Sequence, residues 1–311
     1  MSGGKTDGRP ESLRQRLRNE LRGRGEDVTF GLQRYAVERF LYRLGRSGHR
    51  ARFVLKGATL FAIWGTAYRP TRDVDFTGYG SPDPQDVIKA FCEVCNTPDD
   101  VNQLVFDTDT ITADPIRDGS EYHGLRIRLR ARLGESDIPI QVDVGFGNAI
   151  VPGPEEKEFR TILGDPPPRI LAYPPESVVA EKMHAMVTLG ERNSRYKDFY
   201  DLHAIARGFQ FERGTLVRAV RATFERRTTP ITQDTPAALA APFYSSESRV
   251  QQWRTYVSRN QLNGVPPDFG LVGDLVIGFL RPLWEDIGAG RTPAGDWPPG
   301  GPWRSTEEPS I

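Results

Sequence analysis

The sequence predicts an α/β (α+β) protein in which a mixed sheet with flanking helices is followed by a helical domain. Two observations indicate this order. Short strand-type segments with apolar and polar residues in alternation lie before residue 165, and helix-type segments follow a Pro-rich stretch at 164–169. The length of 311 residues is enough for one large or two medium domains with a real core.

The composition excludes some classes of protein. Lys plus Arg and Asp plus Glu both count 41, which argues against a wholly basic nucleic-acid coat but leaves room for a local basic patch. The N-terminal residues have no apolar core of a signal peptide, and no apolar run approaches the ~18 residues of a membrane helix. With only two cysteines, Cys92 and Cys95, we expect a cytoplasmic protein without membrane contact.

The first half of the chain alternates helix and strand signals. Apolar residues at helical spacing over 29–47 predict an amphipathic helix, and the apolar run 52–56 predicts a short buried strand. Gly57 ends that strand, 58–65 is helix-type, and 72–76 is strand-type. A helix over 84–95 and three further strands at 104–112, 125–133 and 138–146 complete this region.

The second half is mainly helical. Five helix-type segments follow the Pro-rich stretch, at 175–190, 198–208, 214–227, 248–260 and 272–287. We therefore predict four parts: a disordered tail over 1–10, an α/β core over 11–165, a mainly helical domain over 166–290 that completes the site, and a disordered Pro/Gly-rich tail over 291–311.

Three carboxylates are the candidate chemical centre. Asp73 and Asp75 stand two residues apart on a strand, so both project from one face while Val74 faces the core. Asp143 projects in the same way from the apolar-backed strand 138–146. If the two strands are neighbours, the three acids converge as ligands for Mg²⁺ or Mn²⁺, and the third completes the metal shell or deprotonates an attacking hydroxyl. The alternative is a solvated strand face with Arg69 and Arg72 as neighbours.

The strand–Gly–helix unit at Gly57 suggests a phosphate site. A helix N-terminus presents free N–H groups and the positive end of the helix dipole. We expect this turn to hold the phosphates of a nucleotide whose metal is bound by Asp73 and Asp75.

Two motifs stand in order along the chain. The first is LKGATLFAIWGTAYRPTRDVDF at 55–76, and the second is EKMHAMVTLGERNSRYKDFYDL at 181–202. They resemble motifs of the nucleotidyltransferases of the AbiEii/AbiGii toxin family (MenT-like toxins). The second matches a family Lys followed by a Lys/Arg-Asp-x-x-Asp-Leu run, whereas the first has a Gly-Ala turn where the wider superfamily favours Gly-Ser or Gly-Gly. The resemblance covers about 30–290 and implies a nucleotidyltransferase-like fold.

The resemblance also assigns residues. It implies catalytic roles for Lys182 and Asp198 beside Asp73, Asp75 and Asp143. Nucleotide contacts are expected at Lys56, Gly57, Ala58, Thr71 and Arg72, and at Lys182, because Lys182 leaves a largely apolar helix face and should meet an anion. Two alternatives stay open: Lys182 in an ordinary ion pair on its helix, and Asp198 as the N-cap of a helix that begins at Phe199.

The implied function is a metal-dependent nucleotidyltransferase toxin. It would transfer NMP from ATP, GTP, CTP or UTP to an acceptor, the 3′ end of tRNA by resemblance, release pyrophosphate and block translation. A cognate antitoxin encoded nearby and a role in phage defence are implied too. Arginines at 125–133 and 218–227 could hold an RNA backbone or form solvated faces. The alternatives are transfer to a small molecule or protein hydroxyl, and an inactive nucleotide- or RNA-binding protein.

Overall fold

The computed structural model describes residues 8–65, 71, 73–99, 103–116, 124–262 and 264–305. They divide into two compact units. The first contains the described residues of 1–64, 71–147 and 155–172, and the second those of 65–70, 148–154 and 173–311. None of the helices in the described part of the chain has the length and apolarity needed to cross a membrane.

The first unit is a mixed seven-stranded sheet with helices. Its strands lie in the order β3-β4-β5-β2-β1-β7-β6, with β2 and β5 parallel, β1 and β7 parallel, and the other neighbours antiparallel. This sheet confirms the predicted fold class. The elements are α1 (Gly8–Gly23), α2 (Val28–Arg46), β1 (Phe53–Lys56), α3 (Thr59–Trp64), β2 (Asp73–Gly78), α4 (Pro84–Asn96), β3 (Val105–Ile116), β4 (Gly124–Leu133), β5 (Ser136–Phe146), β6 (Glu155–Glu158) and β7 (Arg169–Ala172).

The core of the first unit lies between one face of this sheet and helices α2 and α4. Strand residues alternate between buried and partly exposed positions on β4 and β5, as the sequence alternation predicted. Phe53 of β1 packs edge-on against Phe76 of β2 and Phe91 of α4, with ring centroids 6.2 and 5.4 Å apart. The opposite face of the sheet therefore presents the polar members of the same strands.

Helix α1 was not predicted from the sequence. Leu13, Leu17 and Leu21 recur every four residues along it and all three side chains are buried. That spacing is a helix signal, but the charged residues between the leucines hid it. The predicted tail over 1–10 overlaps this helix at residues 8–10, and its first seven residues lie outside the described residues.

The Pro-rich segment at 164–169 does not lead out of the first unit. It lies between β6 and β7, which pair as an antiparallel hairpin, and β7 then adds to the sheet parallel to β1. The first unit consequently reaches residue 172, beyond the predicted boundary at 165. Prolines suit such a connection because they cannot donate hydrogen bonds to a strand ladder.

The second unit is mainly helical. An aromatic cluster forms its core, in which Phe269 packs against Phe199, Tyr244 and Trp253. Its elements are α5 (Pro175–Leu189), α6 (Tyr196–Gly208), β8 (Phe211–Glu212), α7 (Arg213–Arg226), α8 (Ala241–Ser245), α9 (Glu247–Arg259), α10 (Phe269–Gly288) and β9 (Asp296–Trp297).

Residues 291–305 are ordered, against the prediction of a disordered tail from 291 onward. Strand β9 pairs with β8, and Trp297 is buried with its indole N–H donating to the carbonyl of Ala206 at 2.7 Å. Trp297 and Trp303 both pack on Phe279 of α10. Large aromatic side chains thus anchor a segment whose Pro and Gly content alone favours disorder. Residues 306–311 lie outside the described residues.

Candidate active site

Asp73, Asp75 and Asp143 lie on one face of the sheet of the first unit. Strands β2 and β5 are parallel neighbours, with Asp75 opposite Asp143 and Asp73 opposite Gln141. All four side chains are partly exposed, whereas Val74 and Val142 between them are buried on the core face. Neighbouring strands are about 4.8 Å apart, so the register places the carboxylates of Asp75 and Asp143 side by side. The predicted convergence of the three acids required β2 and β5 to be neighbours, and they are.

The two central carboxylates belong to a row of charges across four strands. Lys56 of β1 is the register partner of Asp75, and Arg126 of β4 is the register partner of Asp143. Directly opposite residues share a face of the sheet, so the order along the row is Lys56, Asp75, Asp143, Arg126. Two adjacent anions are therefore bracketed by two cations, which reduces the repulsion between the carboxylates.

Asp143 and Asp73 have specific partners. Arg126 donates from Nε to Oδ1 of Asp143 at 2.9 Å and from Nη2 to Oδ2 at 2.8 Å, a bidentate pair. Gln141 Nε2 donates to Oδ1 of Asp73 at 2.9 Å. These contacts hold the side chains of Asp73 and Asp143 on the polar face of the sheet.

Gly57 has a role that the sequence interpretation did not anticipate. Its φ is +74°, and a Cβ at this position would stand 2.1 Å from Oδ2 of Asp75. Glycine is therefore required both by the backbone conformation and by the close approach of the Asp75 carboxylate. Ala58 follows with a buried side chain, and α3, expected as the phosphate-binding helix, has six residues.

Thr71 lies next to the carboxylates through the backbone. Its hydroxyl donates to the carbonyl oxygen of Asp73 at 3.3 Å. Arg69 and Arg72 lie outside the described residues, so the predicted nucleotide contact at Arg72 and the alternative of arginine neighbours for the two aspartates stay predictions.

The carboxylates suit a divalent cation chemically. Carboxylate oxygens are the ligands that Mg²⁺ and Mn²⁺ prefer, and two strands supply three of them to one face. Within the described residues, however, no three His, Cys, Asp or Glu side chains are grouped as ligands around one point. The bidentate pair with Arg126 occupies both oxygens of Asp143 in this conformation. A cation bound to the remaining lone pairs of Asp143 would therefore stand close to the guanidinium of Arg126.

The arginines of β4, considered as RNA contacts, are each paired with an aspartate. The partners come from the adjoining strands β3 and β5, at 2.5–2.8 Å. The pairs are Arg126–Asp143, Arg128–Asp114, Arg130–Asp137 and Arg132–Asp107. The positive charges of these four arginines are compensated by aspartates. This favours the interpretation as a solvated sheet face over that of an RNA-binding surface.

Lys182 of the second unit is held between two aspartates of the next helix. Its Nζ lies 2.9 Å from Oδ1 of Asp198 and 2.7 Å from Oδ2 of Asp201, and the Lys182 side chain is 12% exposed. Both aspartates are buried. Lys182 thus forms ion pairs with two acids of α6, and its predicted nucleotide contact stays a prediction.

Asp198 does not cap a helix. Helix α6 begins at Tyr196, two residues before it, and the side chain of Asp198 is directed to Lys182 and to Nε of Arg195, 2.8 Å away. Burial acts to raise the pKa of Asp198, but the cations Lys182 and Arg195 outweigh it and hold the pKa below its ordinary value. Asp198 is therefore an ionised partner of Lys182.

Sequence reasoning missed two residues of these clusters. Arg126 was seen only as one of several arginines on a strand, because its pairing with Asp143 depends on the register of β4 against β5. Asp201 was part of the second motif but was given no role, although it makes the shorter of the two contacts with Lys182. Its spacing of three residues from Asp198 on a helix was the available signal.

A mixed sheet with three carboxylates on one face is the arrangement expected of an enzyme that transfers phosphoryl or nucleotidyl groups. The family model described as nucleotidyl transferase AbiEii toxin, type IV toxin–antitoxin system, matches residues 39–272. The chain belongs to this family of nucleotidyltransferase toxins, which confirms the resemblance carried by the two motifs.

Two solved structures from Helicobacter pylori are similar to the chain. One, described as a candidate nucleotidyltransferase, is 13% identical with a TM-score of 0.46 and covers 81% of this chain and 92% of its own. The other, JHP933, is 12% identical with a TM-score of 0.45 and covers 89% of this chain and 97% of its own. Comparison with curated proteins gives no match.

Proposed function

We propose that this protein is a divalent-cation-dependent nucleotidyltransferase that adds NMP from an NTP to the 3′ end of tRNA, releases pyrophosphate and so blocks translation. The observation that carries the chemistry is the register of β2 and β5, which sets Asp75 beside Asp143 with Asp73 on the same face, inside the family-matched segment. The tRNA acceptor rests on the resemblance to MenT-like toxins alone.

The transfer itself is a displacement at phosphorus. The oxygen of the acceptor hydroxyl attacks the α-phosphorus of the NTP, and the bond from that phosphorus to the oxygen bridging the β-phosphate breaks, so its electron pair leaves with pyrophosphate. Asp73, Asp75 and Asp143 would hold Mg²⁺ or Mn²⁺, which supplies charge neutralisation at the phosphate oxygens when bound. The hydroxyl proton passes to a carboxylate, and Asp143 is the group that we assign to this step.

Lys56 stands beside Asp75 in the row on the sheet, where its positive charge suits a triphosphate. By the family resemblance Lys182 is a further nucleotide-binding residue, and in the second unit its ammonium group is held by Asp198 and Asp201. Asp198 accordingly acts through Lys182 and is a positioning residue in this proposal. Gly57 allows the backbone turn and leaves room for the carboxylate of Asp75.

The biological setting follows from the family of toxins. We propose that a cognate antitoxin encoded nearby restrains the protein, that the pair acts in phage defence, and that the reaction takes place in the cytoplasm, where tRNA is charged. Thr71, next to Asp73, is the candidate position for restraint by phosphorylation, since added negative charge there would repel a triphosphate.

The test uses labelled NTPs and defined acceptors. The purified protein is incubated with each α-labelled NTP, Mg²⁺ or Mn²⁺, and either intact tRNA or periodate-oxidised tRNA, which lacks the terminal ribose hydroxyls. Label on intact tRNA only, located at the 3′ end by sequencing, is the expected result. Label found instead on protein or on a small molecule in a cell extract would show that the acceptor is not tRNA. Failure to consume any NTP with either metal would exclude nucleotidyl transfer.

A further inference from the structure

Arg126 lies on the polar face of the sheet with the three carboxylates, and the proposed reaction gives it no role. It is the last residue of the row Lys56, Asp75, Asp143, Arg126, and its guanidinium forms a bidentate pair with Asp143 at 2.9 and 2.8 Å. The pair leaves the carboxylate of Asp143 bound to one cation of the protein. A divalent cation at Asp143 would stand beside that guanidinium, and the two positive charges would repel each other.

The pair of Arg126 and Asp143 is placed where it can open. The side chain of Arg126 is 36% exposed and that of Asp143 is 19% exposed. The same unit contains a comparison: Arg39 and Asp99 form a pair with side chains only 1% and 2% exposed. Opening the buried pair would leave charges without solvent, whereas opening the pair on the sheet face lets water or an incoming ligand replace each partner at low cost.

The chemistry of guanidinium indicates the second partner. Its planar fork matches the two oxygens of a carboxylate and two oxygens of a phosphate equally well. An NTP brings its phosphates to the same face as the divalent cation. On the other side of Arg126, its register neighbour Asp114 is paired with Arg128 at 2.6 Å, so that carboxylate is already engaged.

We propose that Arg126 exchanges partners during substrate binding: it holds Asp143 before the nucleotide arrives, and it binds a phosphate of the NTP once the divalent cation takes Asp143. This inference rests on the proposed function and names a further substrate-binding residue of the same site. Arg126 then opposes binding of the cation alone and supports binding of the cation together with the nucleotide, which couples the two ligands.

The variants separate this exchange from a purely structural role. Arg126→Gln removes the charge, Arg126→Lys keeps a charge but loses the fork, and Arg130→Gln is the matched control. Arg130 lies on the same strand and face and pairs with Asp137 of the same neighbouring strand. Thermal unfolding of each variant shows whether the fold is retained.

Two affinities are measured on each protein. Mn²⁺ binding without nucleotide is followed by electron paramagnetic resonance, and binding of labelled NTP with Mn²⁺ by equilibrium dialysis. Arg126→Gln should bind Mn²⁺ alone several-fold more tightly and the NTP with Mn²⁺ about tenfold more weakly, the equivalent of one charge-assisted contact. Arg126→Lys should keep Mn²⁺ affinity near that of the wild type and bind the NTP several-fold more weakly, and Arg130→Gln should match the wild type in both.

Two results would overturn the exchange while leaving the proposed function intact. One is an active wild-type enzyme whose Arg126→Gln variant has unchanged affinities. The other is a variant that loses affinity for Mn²⁺ as well as for NTP, because that loss would make Arg126 a support for Asp143. A wild-type protein that transfers no nucleotide and binds neither Mn²⁺ nor any NTP would overturn both proposals.

Discussion

Asp75 stands at the centre of the row of charges on the sheet, between Lys56 and Asp143. We expect Asp75→Ala to abolish nucleotidyl transfer, a loss of at least about a thousandfold in kcat/KM, because it removes a proposed metal ligand and a fixed charge from the proposed site. Stability should change by less than about 1 kcal/mol, since the side chain is on the polar face.

The control for Asp75 is Asp137→Ala, which removes an exposed acid of β5 that lies on the same face of the sheet as Asp75 and Asp143. It should retain wild-type transfer. Label transfer to tRNA and urea unfolding measure both properties, and an Asp75→Ala protein that labels tRNA at the wild-type rate would contradict the assignment of the carboxylate site.

Gly57 offers a test of the backbone at the site. Gly57→Ala should destabilise the protein by more than the ~1–2 kcal/mol that a left-handed conformation costs, because the new methyl would collide with the Asp75 carboxylate. Transfer activity should fall with it. Gly65→Ala is the matched control, since Gly65 has a φ of +65° and, apart from its chain neighbours, no residue that the structure describes places an atom within 4 Å of the added Cβ. Equal unfolding free energies for the two variants would show that the carboxylate moves aside freely.

Much of the residue-scale site could be predicted from the sequence. The spacing of Asp73 and Asp75 on a strand was enough to assign them to one face, and the alternation of 138–146 did the same for Asp143. Alternation gives the face of a side chain but not its neighbour on the next strand. The pairing of Arg126 with Asp143 and the contact of Gly57 with Asp75 needed the register of four strands.

At the scale of elements, the ion cluster between α5 and α6 depends on Lys182. Lys182→Met should destabilise the protein by roughly 3–5 kcal/mol, because Asp198 and Asp201 are buried and lose the cation between them. Lys197→Met, at an exposed position of α6, should be nearly neutral. Urea unfolding decides the matter: a Lys182 variant as stable as the Lys197 variant would mean that other groups compensate the two aspartates.

The anchoring of residues 291–305 gives a second prediction at this scale. Trp297→Ala should cost roughly 3–5 kcal/mol of unfolding free energy, because a buried indole that contacts Phe279 and donates to Ala206 is lost. Thr292→Ala, exposed in the same segment, should change stability by less than about 0.5 kcal/mol. If both variants unfold at the wild-type urea concentration, this segment does not contribute to the folded unit.

The sequence predicted most of the longer elements and missed those whose signals are short or mixed. Helix α1 was hidden by its charged residues, and β6 and β7, with four residues each, have no room for a periodic pattern. The prediction for segment 291–305 was wrong because its Pro and Gly content favours disorder, whereas the packing of Trp297 and Trp303 on Phe279 cannot be read from composition. Tertiary contacts decide these cases, and they cannot be read from local propensity.

At the scale of the whole molecule, the two units contain buried titratable groups with opposite responses to pH. In the first unit, burial raises the pKa of Glu38 to about 7, although the Ile162 N–H and the guanidinium of Arg34 partly oppose the shift. In the second unit, burial lowers the pKa of His184 and His203 to about 4, with Arg227 and Arg207 acting in the same direction. None of these groups belongs to the proposed reaction.

The signs of the two effects follow from proton uptake. Between pH 4.5, the ordinary pKa of the carboxyl, and about 7, the folded first unit binds a proton at Glu38 that the unfolded chain lacks, so its stability rises as the pH falls. Between 6.5, the ordinary pKa of the imidazole, and about 4, the unfolded chain binds protons at His184 and His203 that the folded second unit excludes. The stability of the second unit therefore falls as the pH falls from 6.5 to about 4.

We predict that a fall in pH stabilises the first unit and destabilises the second. Hydrogen exchange at about pH 5 and pH 7.5, corrected for intrinsic rates, should show amides of α2 gaining protection at the lower pH while those of α5 and α6 lose it. Glu38→Gln should remove most of the gain in the first unit, roughly 2–3 kcal/mol, because one pKa unit corresponds to about 1.4 kcal/mol. Protection that changes in the same direction in both units would contradict these opposing proton linkages.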